Sequence, residues 1–355
     1  MSQQSATMAR RPATDMSVVE RRVRAEVEFK ALRIPLPHVR SIQAELEVLR
    51  RVGRESKGQS QKIQAIIGPS HSGKTTVIKD WCEIIGRQAY DSHRRHPILY
   101  VNLTEHATVK SMAGDIALAL GADALPLETV QDVQRSKPRR HISGAGTIRD
   151  STGIMMHLAA RAMQNAGVEL LIIDELHHLI RGEGATRTRW DVTEALKWLA
   201  DQGVCPVVCI GIRKIQSVVD ATTNSQMANR QTMPVYIEPV DMRRKDQAQT
   251  FVRYCTALDV LMVKQGILAE RSGLASKQTV ECLYDVSKGI LGRVSRLVEV
   301  ATQLAIGREH HSLHDDDLSD ATDRYAIRLN LTKHNPWVDG PRDFEVIWNE
   351  AKRQD

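Results

Sequence analysis

Short apolar runs alternate with longer segments of helical periodicity through the first two thirds of the chain. Five such runs occur: IQAII at 63–67, PILYVNL at 97–103, VELLIID at 168–174, PVVCIGI at 206–212 and MPVYIEPV at 233–240. Runs that are apolar throughout are typical of strands buried on both faces. Strands that alternate with helices predict a parallel sheet covered on both sides. We therefore expect an α/β fold with helices on both faces of a parallel sheet over residues 39–242.

The strand pattern stops after Pro239, and a helical pattern replaces it. From Lys245 to about Arg328, apolar residues recur at helical spacing, with glycines near plausible helix ends. We expect a small all-α lid domain over residues 243–330.

The two ends of the chain differ from these domains. Residues 1–38 are polar, and we expect a flexible N-terminal extension with a short helix around 17–32. The C-terminal tail, residues 331–355, carries the large aromatic residues Trp337, Phe344 and Trp348. These side chains would anchor a partner or a neighbouring subunit, or would dock back onto the chain's own domain.

The charge balance favours an acidic partner. The 355 residues include 49 Lys and Arg against 43 Asp and Glu, a net charge of +6, and nucleic acid is the commonest partner of a basic protein. The chain has only 3 Phe, 5 Trp and 6 Tyr. Aromatic residues this scarce argue against a protein that stacks single-stranded bases on its rings.

The cysteines and the N-terminus indicate the cellular compartment. The five cysteines match neither a disulfide framework nor a zinc site, and Cys205 and Cys209 are expected to be buried reduced thiols. No apolar run reaches 18 residues, and the start MSQQSATMARRPATD lacks the apolar segment of a signal peptide. We expect a cytoplasmic protein.

The segment GPSHSGKTT follows the first strand directly and matches G-x-x-x-x-G-K-[ST]. Gly68 and Gly73 would let the loop curl so that its N–H groups point at a β-phosphate, and the following helix adds its dipole. Lys74 would place a positive charge on the phosphate oxygens, and the Thr75 hydroxyl would bind Mg²⁺. The position between a buried strand and a helix favours this interpretation over a structural glycine turn. The predicted ATP-binding residues are Gly68, Pro69, Ser70, His71, Ser72, Gly73, Lys74, Thr75 and Thr76.

Two carboxylates, Asp174 and Glu175, end the third apolar run. In open α/β sheets the carboxyl ends of the strands face the ligand. Asp174 would hold Mg²⁺ through water. Glu175 would orient and polarise the attacking water, because phosphoryl transfer depends on positioning and charge.

The GPSHSGKT and LLIIDELHHL motifs, their spacing and two later arginines resemble the AAA+ ATPases over residues 40–330, and among them the TniB/TnsC-type regulators of DNA transposition. The resemblance implies a P-loop NTPase fold with an α-helical lid that uses ATP and Mg²⁺. It also implies a homo-oligomer on double-stranded DNA, a ring or a helical filament with about six or seven subunits per turn. Such a protein selects the target site together with target-selector proteins and recruits or activates the transposase. ATP hydrolysis would drive its disassembly.

The resemblance assigns roles to two arginines. AAA+ proteins place an arginine finger, which reaches the ATP of a neighbouring subunit, before the fifth strand, and Arg230 lies at the matching place, with Arg213 as its rival. A sensor arginine near the start of a lid helix corresponds to Arg293, with Arg296 as the second choice. The alternatives are a solvated arginine at a helix end for Arg230 and a salt bridge on the helix surface for Arg293.

The end of the fourth strand departs from the AAA+ pattern. That family usually has Asn, Ser or Thr there to help hold the water, whereas this chain has Gly211, Ile212 and Arg213. We expect slow basal hydrolysis that DNA or partner proteins increase, and turnover above roughly 10 s⁻¹ would contradict this expectation.

His177 and His178 follow the two carboxylates and resemble part of a helicase DExH box. No arginine-rich helicase motif follows in the sequence, and adjacent histidines on a helix cannot both face one ion. We expect both to occupy ordinary positions in a loop or at a helix start.

Two basic segments are candidates for DNA contact. One lies between the second and third strands and contains Arg135, Lys137, Arg139, Arg140 and Arg149 without an acidic residue. The other follows Glu175 and contains Arg181, Arg187 and Arg189. Cations without aromatic residues suit contact with phosphates regardless of sequence. Ordinary solvated loops are the alternative in both places.

Two other function classes stay open beside an ATPase switch. One is a scaffold that binds ATP without hydrolysing it, and the other is an AAA+ replication-protein loader or signalling NTPase.

Overall fold

The computed structural model describes residues 17–34, 36–91, 96–121, 151–180, 186–219 and 227–353. The chain divides into two compact units. One is Pro37–Glu238, and the other combines Met1–Leu36 with Pro239–Asp355.

A five-stranded parallel sheet forms the centre of the Pro37–Glu238 unit. Its strands are β1 Ile63–Ile67, β2 Ile98–Asn102, β3 Leu170–Asp174, β4 Val207–Gly211 and β5 Val235–Tyr236. Their order is β2-β3-β4-β1-β5, and all their pairings are parallel. Strands β1, β3 and β4 are buried at every position, which is why their sequences are apolar throughout. The predicted parallel sheet is confirmed.

The fifth strand is shorter than the apolar run at 233–240 suggests. Within that run, only Val235 and Tyr236 pair with β1. Pro234 and Pro239 flank this pair, and proline cannot donate a hydrogen bond to the ladder, which confines it to the ends of edge strands.

Helices cover both faces of the sheet. The helices of this unit are α2 Pro37–Glu55, α3 Lys74–Asp91, α4 Val109–Ala119, α5 Ser151–Ala166, α6 Thr186–Asp201 and α7 Gln216–Val219. Apolar residues of α4, α5 and α6 form one core with one face of the sheet. Apolar residues of α2 and α3 form a second core with the other face. Alternate residues of β1 enter the two cores, Ile63 the first and Ile66 the second, as the period of a strand requires.

The carboxyl ends of β1, β3 and β4 meet at one edge of the sheet. Ile67 pairs with Gly211, and Ile173 pairs with Cys209. The loop after β1, the residues after Asp174 and the end of β4 therefore lie side by side.

The other unit is helical, as the sequence predicts for the C-terminal region. Its helices are α1 Val18–Lys30, α8 Lys245–Lys264, α9 Lys277–Ser287, α10 Leu291–Gly307, α11 Asp315–Ala321, α12 Pro336–Asp339 and α13 Phe344–Arg353. A π-helical turn, Thr322–Ile327, follows α11. Among the described helices of the whole chain, none combines the length and apolar character needed to cross a membrane.

Helix α1 differs from the flexible extension expected over residues 1–38. Ser17 and Glu20 form a capping box at its start, and Ala25 and Phe29 are buried. The helix packs against α10, where Arg22 Nε donates to Gln303 Oε1 at 3.1 Å. This buried face and the cap fix α1 in the helical unit. Residues 1–16 lie outside the described residues.

The tail aromatics dock onto their own unit, which is one of the two roles left open by the sequence. Trp337 Nε1 donates to Thr322 Oγ1 at 3.0 Å, and the ring of Phe344 meets that of Tyr284 edge-to-face at 5.3 Å. A buried ion pair reinforces this docking, because Arg342 donates from Nη2 to Asp285 Oδ1 at 2.7 Å.

Candidate nucleotide-binding site

The loop between β1 and α3 adopts a conformation that depends on its glycines. Gly73 has a φ of +87°, which is accessible to glycine without strain. A Cβ atom at Gly68 would lie 2.6 Å from the carbonyl oxygen of Ile237, so no side chain fits there. His71 also has a positive φ, +65°, a local strain that the sequence motif does not reveal. The tight curl expected for a phosphate-binding loop is present.

The ammonium of Lys74 is buried inside this loop. Its Nζ donates to the carbonyl oxygens of Gly68 and Pro69, both at 2.8 Å, and more weakly to Ser72 Oγ at 3.4 Å. Lys74 is also the first residue of α3, where the free N–H groups and the helix dipole favour an anion. The loop therefore concentrates positive charge at one point.

Asp174 is a fully buried carboxylate at the end of β3, and its partners lie on α3, on β2 and directly after β3. Its Oδ2 accepts hydrogen bonds from Thr75 Oγ1 at 2.8 Å and from Tyr100 OH at 2.6 Å. Its Oδ1 accepts one from the backbone N–H of Glu175 at 2.8 Å. Thr75 and Asp174, the two residues predicted to hold Mg²⁺, therefore lie in direct contact.

Tyr100 is the functional residue that the sequence analysis missed. Its side chain lies on β2, and its hydroxyl donates to Oδ2 of Asp174, the same oxygen that Thr75 contacts. Burial, and next the bond to Asp174, raise the pKa of Tyr100, so the phenol stays a donor at neutral pH. The only indication in the sequence was the hydroxyl group of Tyr100, which stands between apolar residues of its strand.

The oxygen atoms of Thr75 and Asp174 fit a magnesium ion. A hydroxyl and a carboxylate are the hard ligands that Mg²⁺ prefers, and these two oxygens lie 2.8 Å apart, so one ion can be reached by both. The carboxylate is buried, where a cation is the natural partner of a charged group.

Glu175 turns sharply away from the strand. It has left-handed backbone angles, φ 58° and ψ 35°, which cost a residue other than glycine about 1–3 kcal/mol and concentrate at functional sites. Burial, and next the charge of Asp174, raise the pKa of the Glu175 carboxyl. A carboxylate in this position is suited to accept a proton from water.

His177 and His178 follow in the turn Leu176–Leu179. The two rings lie side by side, tilted by 39°, with their centroids 4.3 Å apart. His177 Nδ1 lies 3.1 Å from Glu175 Oε2. His177 therefore lies in a turn, and in that turn its imidazole is beside the carboxylate of Glu175.

The two arginines assigned by resemblance belong to different units of the chain. Arg230 makes a two-pronged salt bridge to Asp201, with Nε–Oδ1 at 2.8 Å and Nη2–Oδ2 at 2.9 Å. Its carbonyl oxygen accepts from the N–H of Ile63, the first residue of β1, so Arg230 lies at the opposite edge of the sheet from the loop. Arg293 is in the first turn of α10, in the helical unit, and is buried. Their proposed roles stay predictions.

The two rival arginines have partners in their own chain. Arg213 pairs with Glu238 at 3.3 Å, and Arg296 pairs with Glu299 at 2.7 Å along the same helix.

Most of the predicted DNA contacts fall where the structure gives no description. Arg135, Lys137, Arg139, Arg140, Arg149 and Arg181 lie outside the described residues. Arg187 and Arg189 lie in the first turn of α6. The neighbouring Trp190 is exposed, so at least one aromatic ring accompanies these cations.

Comparisons with known proteins agree with this architecture. Residues 56–219 match the family model described as an AAA domain. A comparison with curated proteins gives no match. Among solved structures, Cdc6p from Pyrobaculum aerophilum matches with a TM-score of 0.53 and 16% identity, over 84% of this chain and 70% of that chain. The ORC1 protein of Aeropyrum pernix in complex with DNA matches with a TM-score of 0.52 and 15% identity, over 90% and 78% of the two chains.

At this level of identity the likeness concerns the fold. The chain has the AAA+ P-loop fold with a helical C-terminal region, and its residues 56–219 match the AAA domain model. The resemblance to AAA+ ATPases is confirmed to that extent. The narrower resemblance to TniB/TnsC-type regulators stays a prediction.

Proposed function

We propose that this protein is an AAA+ ATPase that binds ATP with Mg²⁺ at the Lys74 loop and hydrolyses it with Glu175. One observation carries the proposal. The buried Lys74 ammonium, the Thr75 hydroxyl and the Asp174 carboxylate converge at one edge of the sheet, with Glu175 beside them at a strained backbone position.

Each of these residues has a separate task. Lys74 and the N–H groups of the loop bind the phosphates, and Thr75 and Asp174 hold the metal ion. Mg²⁺, when bound, supplies positive charge that offsets the charge developing on the phosphate oxygens. Glu175 orients the attacking water and receives its proton.

Arg230 would complete the site of a neighbouring subunit, and this requires it to exchange partners. Its salt bridge to Asp201 is partly exposed, with side-chain exposures of 24% and 41%, and such pairs contribute about 0–1 kcal/mol. Breaking the salt bridge between Arg230 and Asp201 therefore costs little free energy. Dependence of hydrolysis on a second subunit, together with the absence of Asn, Ser or Thr at Gly211–Arg213, supports slow basal turnover.

We further propose that the ATP-bound protein assembles as a ring or filament on duplex DNA and regulates transposition with a transposase and a target-selector protein. This finer proposal rests on the resemblance of the two motifs and on the basic segments at 135–149 and 181–189. The structure of Aeropyrum pernix ORC1 holds DNA, which is a property of that protein. An AAA+ replication-protein loader or signalling NTPase is the alternative, and copurification with a transposase would favour transposition.

The test measures ATP hydrolysis and assembly on duplex DNA for the wild type, Lys74→Ala and Glu175→Gln. We expect Lys74→Ala to lose nucleotide binding, and Glu175→Gln to bind ATP, lose hydrolysis and form over-stable assemblies. If Glu175→Gln changes neither turnover nor disassembly, ATP serves only to hold a scaffold together and the ATPase proposal is wrong.

A further inference from the structure

The end of β4 lacks a polar side chain, but the space there is filled. A Cβ atom added at Gly211 would lie 2.7 Å from Ile215 Cγ2 and 3.5 Å from His177 Nδ1. Because Gly211 has no side chain, there is room for Ile215 from the next turn. The backbone of β4 also lies close to the imidazole of His177, which belongs to the turn after β3.

The imidazole of His177 is held firmly in this place. Leu176 and Leu179, on either side of the histidine pair, are buried in the core. The N–H of His178 donates to the carbonyl oxygen of Glu175, and that of Ile180 to the carbonyl oxygen of His177, both at 3.0 Å. The rings of His177 and His178 meet at a tilt of 39°, with their centroids 4.3 Å apart.

The Nδ1 atom of His177 faces Glu175 without a completed hydrogen bond. It lies 3.1 Å from Glu175 Oε2, yet it is buried and, among the described residues, no partner meets hydrogen-bond geometry. A buried polar atom that lacks a partner is rare and calls for a functional explanation. Burial, and next the neighbouring His178, lower the pKa of His177 to about 4, so the ring is neutral at pH 7.

We propose that His177 is a positioning residue of this ATPase, which from its place beside Gly211 holds the Glu175 carboxylate and the attacking water in line. The inference rests on the proposed function, because it assigns a role in the same hydrolysis. In this role His177 places a polar group at the end of β4, where the strand itself has no polar side chain.

The reaction balances without a change in the charge of His177. The Nδ1–H donates to Oε2 of Glu175, and the other carboxylate oxygen accepts the proton of the water. The water oxygen forms the new bond to the γ-phosphorus, and the bond from that phosphorus to the β–γ bridging oxygen breaks. The electron pair of that bond stays on ADP.

The experiment compares His177→Leu, His177→Asn and the matched control His178→Leu in the full chain. Asparagine can place an N–H near the position of Nδ1, whereas leucine fills the space without a donor. The measurements are kcat and KM for ATP, the Kd for MgADP, and the gain in MgADP affinity when aluminium fluoride is added as a mimic of the transferred phosphoryl group. Melting temperatures show whether each variant is folded.

We expect His177→Leu to lower kcat about 10–100-fold, since misplacement of a reacting group costs rates of that order. The aluminium fluoride gain should fall similarly, and the MgADP Kd should stay within about twofold. His177→Asn should keep most of kcat and of the aluminium fluoride gain, and His178→Leu should resemble the wild type in both.

Three results from the variants would overturn the inference. They are an unchanged kcat in His177→Leu, equal losses in His177→Asn and His177→Leu, and equal losses in His177→Leu and His178→Leu. A wild type that binds MgADP without any gain from aluminium fluoride would also overturn it. Failure of the wild type to bind MgADP at all would instead defeat the proposed function itself.

Discussion

The replacement Tyr100→Phe removes one oxygen atom from the hydrogen bonds around the proposed magnesium ligand. The phenol donates to Asp174 Oδ2 at 2.6 Å, and after its removal the carboxylate keeps the donors Thr75 Oγ1 and Glu175 N–H. The ring itself is retained, so the packing of β2 changes little. The variant therefore isolates the orientation of Asp174.

The size of the effect follows from the burial of Asp174, which has no exposed surface. A hydrogen bond to a charged group contributes about 1.5–3 kcal/mol, and because two donors remain we expect the lower end, about 1.5–2 kcal/mol of unfolding free energy. Loss of a residue that orients a metal ligand typically weakens metal affinity about 10–100-fold. We therefore expect the Mg²⁺ concentration for half-maximal nucleotide binding to rise about tenfold.

A fluorescent ADP analogue, titrated with Mg²⁺ at fixed nucleotide concentration, measures this shift directly. Binding of the analogue in EDTA should be the same for the wild type and Tyr100→Phe, because Lys74 and the loop are untouched. Tyr325→Phe is the matched control, since its buried phenol belongs to the helical unit and has no hydrogen-bond partner in the described part of the chain. An unchanged Mg²⁺ midpoint in Tyr100→Phe, or an equal shift in Tyr325→Phe, would refute the reasoning.

Three further predictions test other parts of the structure. Gly68→Ala places a Cβ atom 2.6 Å from a backbone carbonyl oxygen and should weaken MgADP binding at least about tenfold by calorimetry, whereas Gly86→Ala, in open space on α3, should bind normally. Arg342→Ala leaves the fully buried Asp285 without its guanidinium and should cost about 3–5 kcal/mol in urea unfolding; a loss below about 1 kcal/mol would contradict the docking of the tail. The pKa of His177 is lowered in the folded state to about 4, so the unfolded chain binds more protons below about pH 6.5 and stability should fall between pH 6.5 and 4. The fall should be smaller in His177→Asn, and equal falls in urea unfolding would contradict it.

The sequence predicts the centre of the Pro37–Glu238 unit well because the controlling forces there are local. Runs such as IQAII and LLIID are short and almost entirely apolar, which is typical of a strand covered on both faces. The loop after β1 could be predicted because its glycines, Lys74 and Thr75 act within a few residues of one another. The position of Asp174 could be predicted because the carboxyl ends of parallel strands meet at one edge of the sheet.

The features that the sequence did not predict depend on contacts between distant segments. The polar residues of 1–38 suggested a flexible extension with a short helix, but that helix is ordered by packing against α10, where Arg22 pairs with Gln303, 281 residues away. Tyr100 became a partner of Asp174 only through the adjacency of β2 and β3. His177 can lie against the end of β4, a different strand, because Gly211 has no side chain there.

The central claim is that a nucleoside triphosphate and Mg²⁺ bind at the Lys74 loop. Isothermal titration calorimetry of the folded protein with a non-hydrolysable ATP analogue tests it most directly, with Mg²⁺ present and with Lys74→Ala as the paired variant. We expect saturable binding of about one nucleotide per chain in the wild type and none in Lys74→Ala at the same concentrations. Absence of binding in the wild type, or equal binding in both proteins, would contradict the claim.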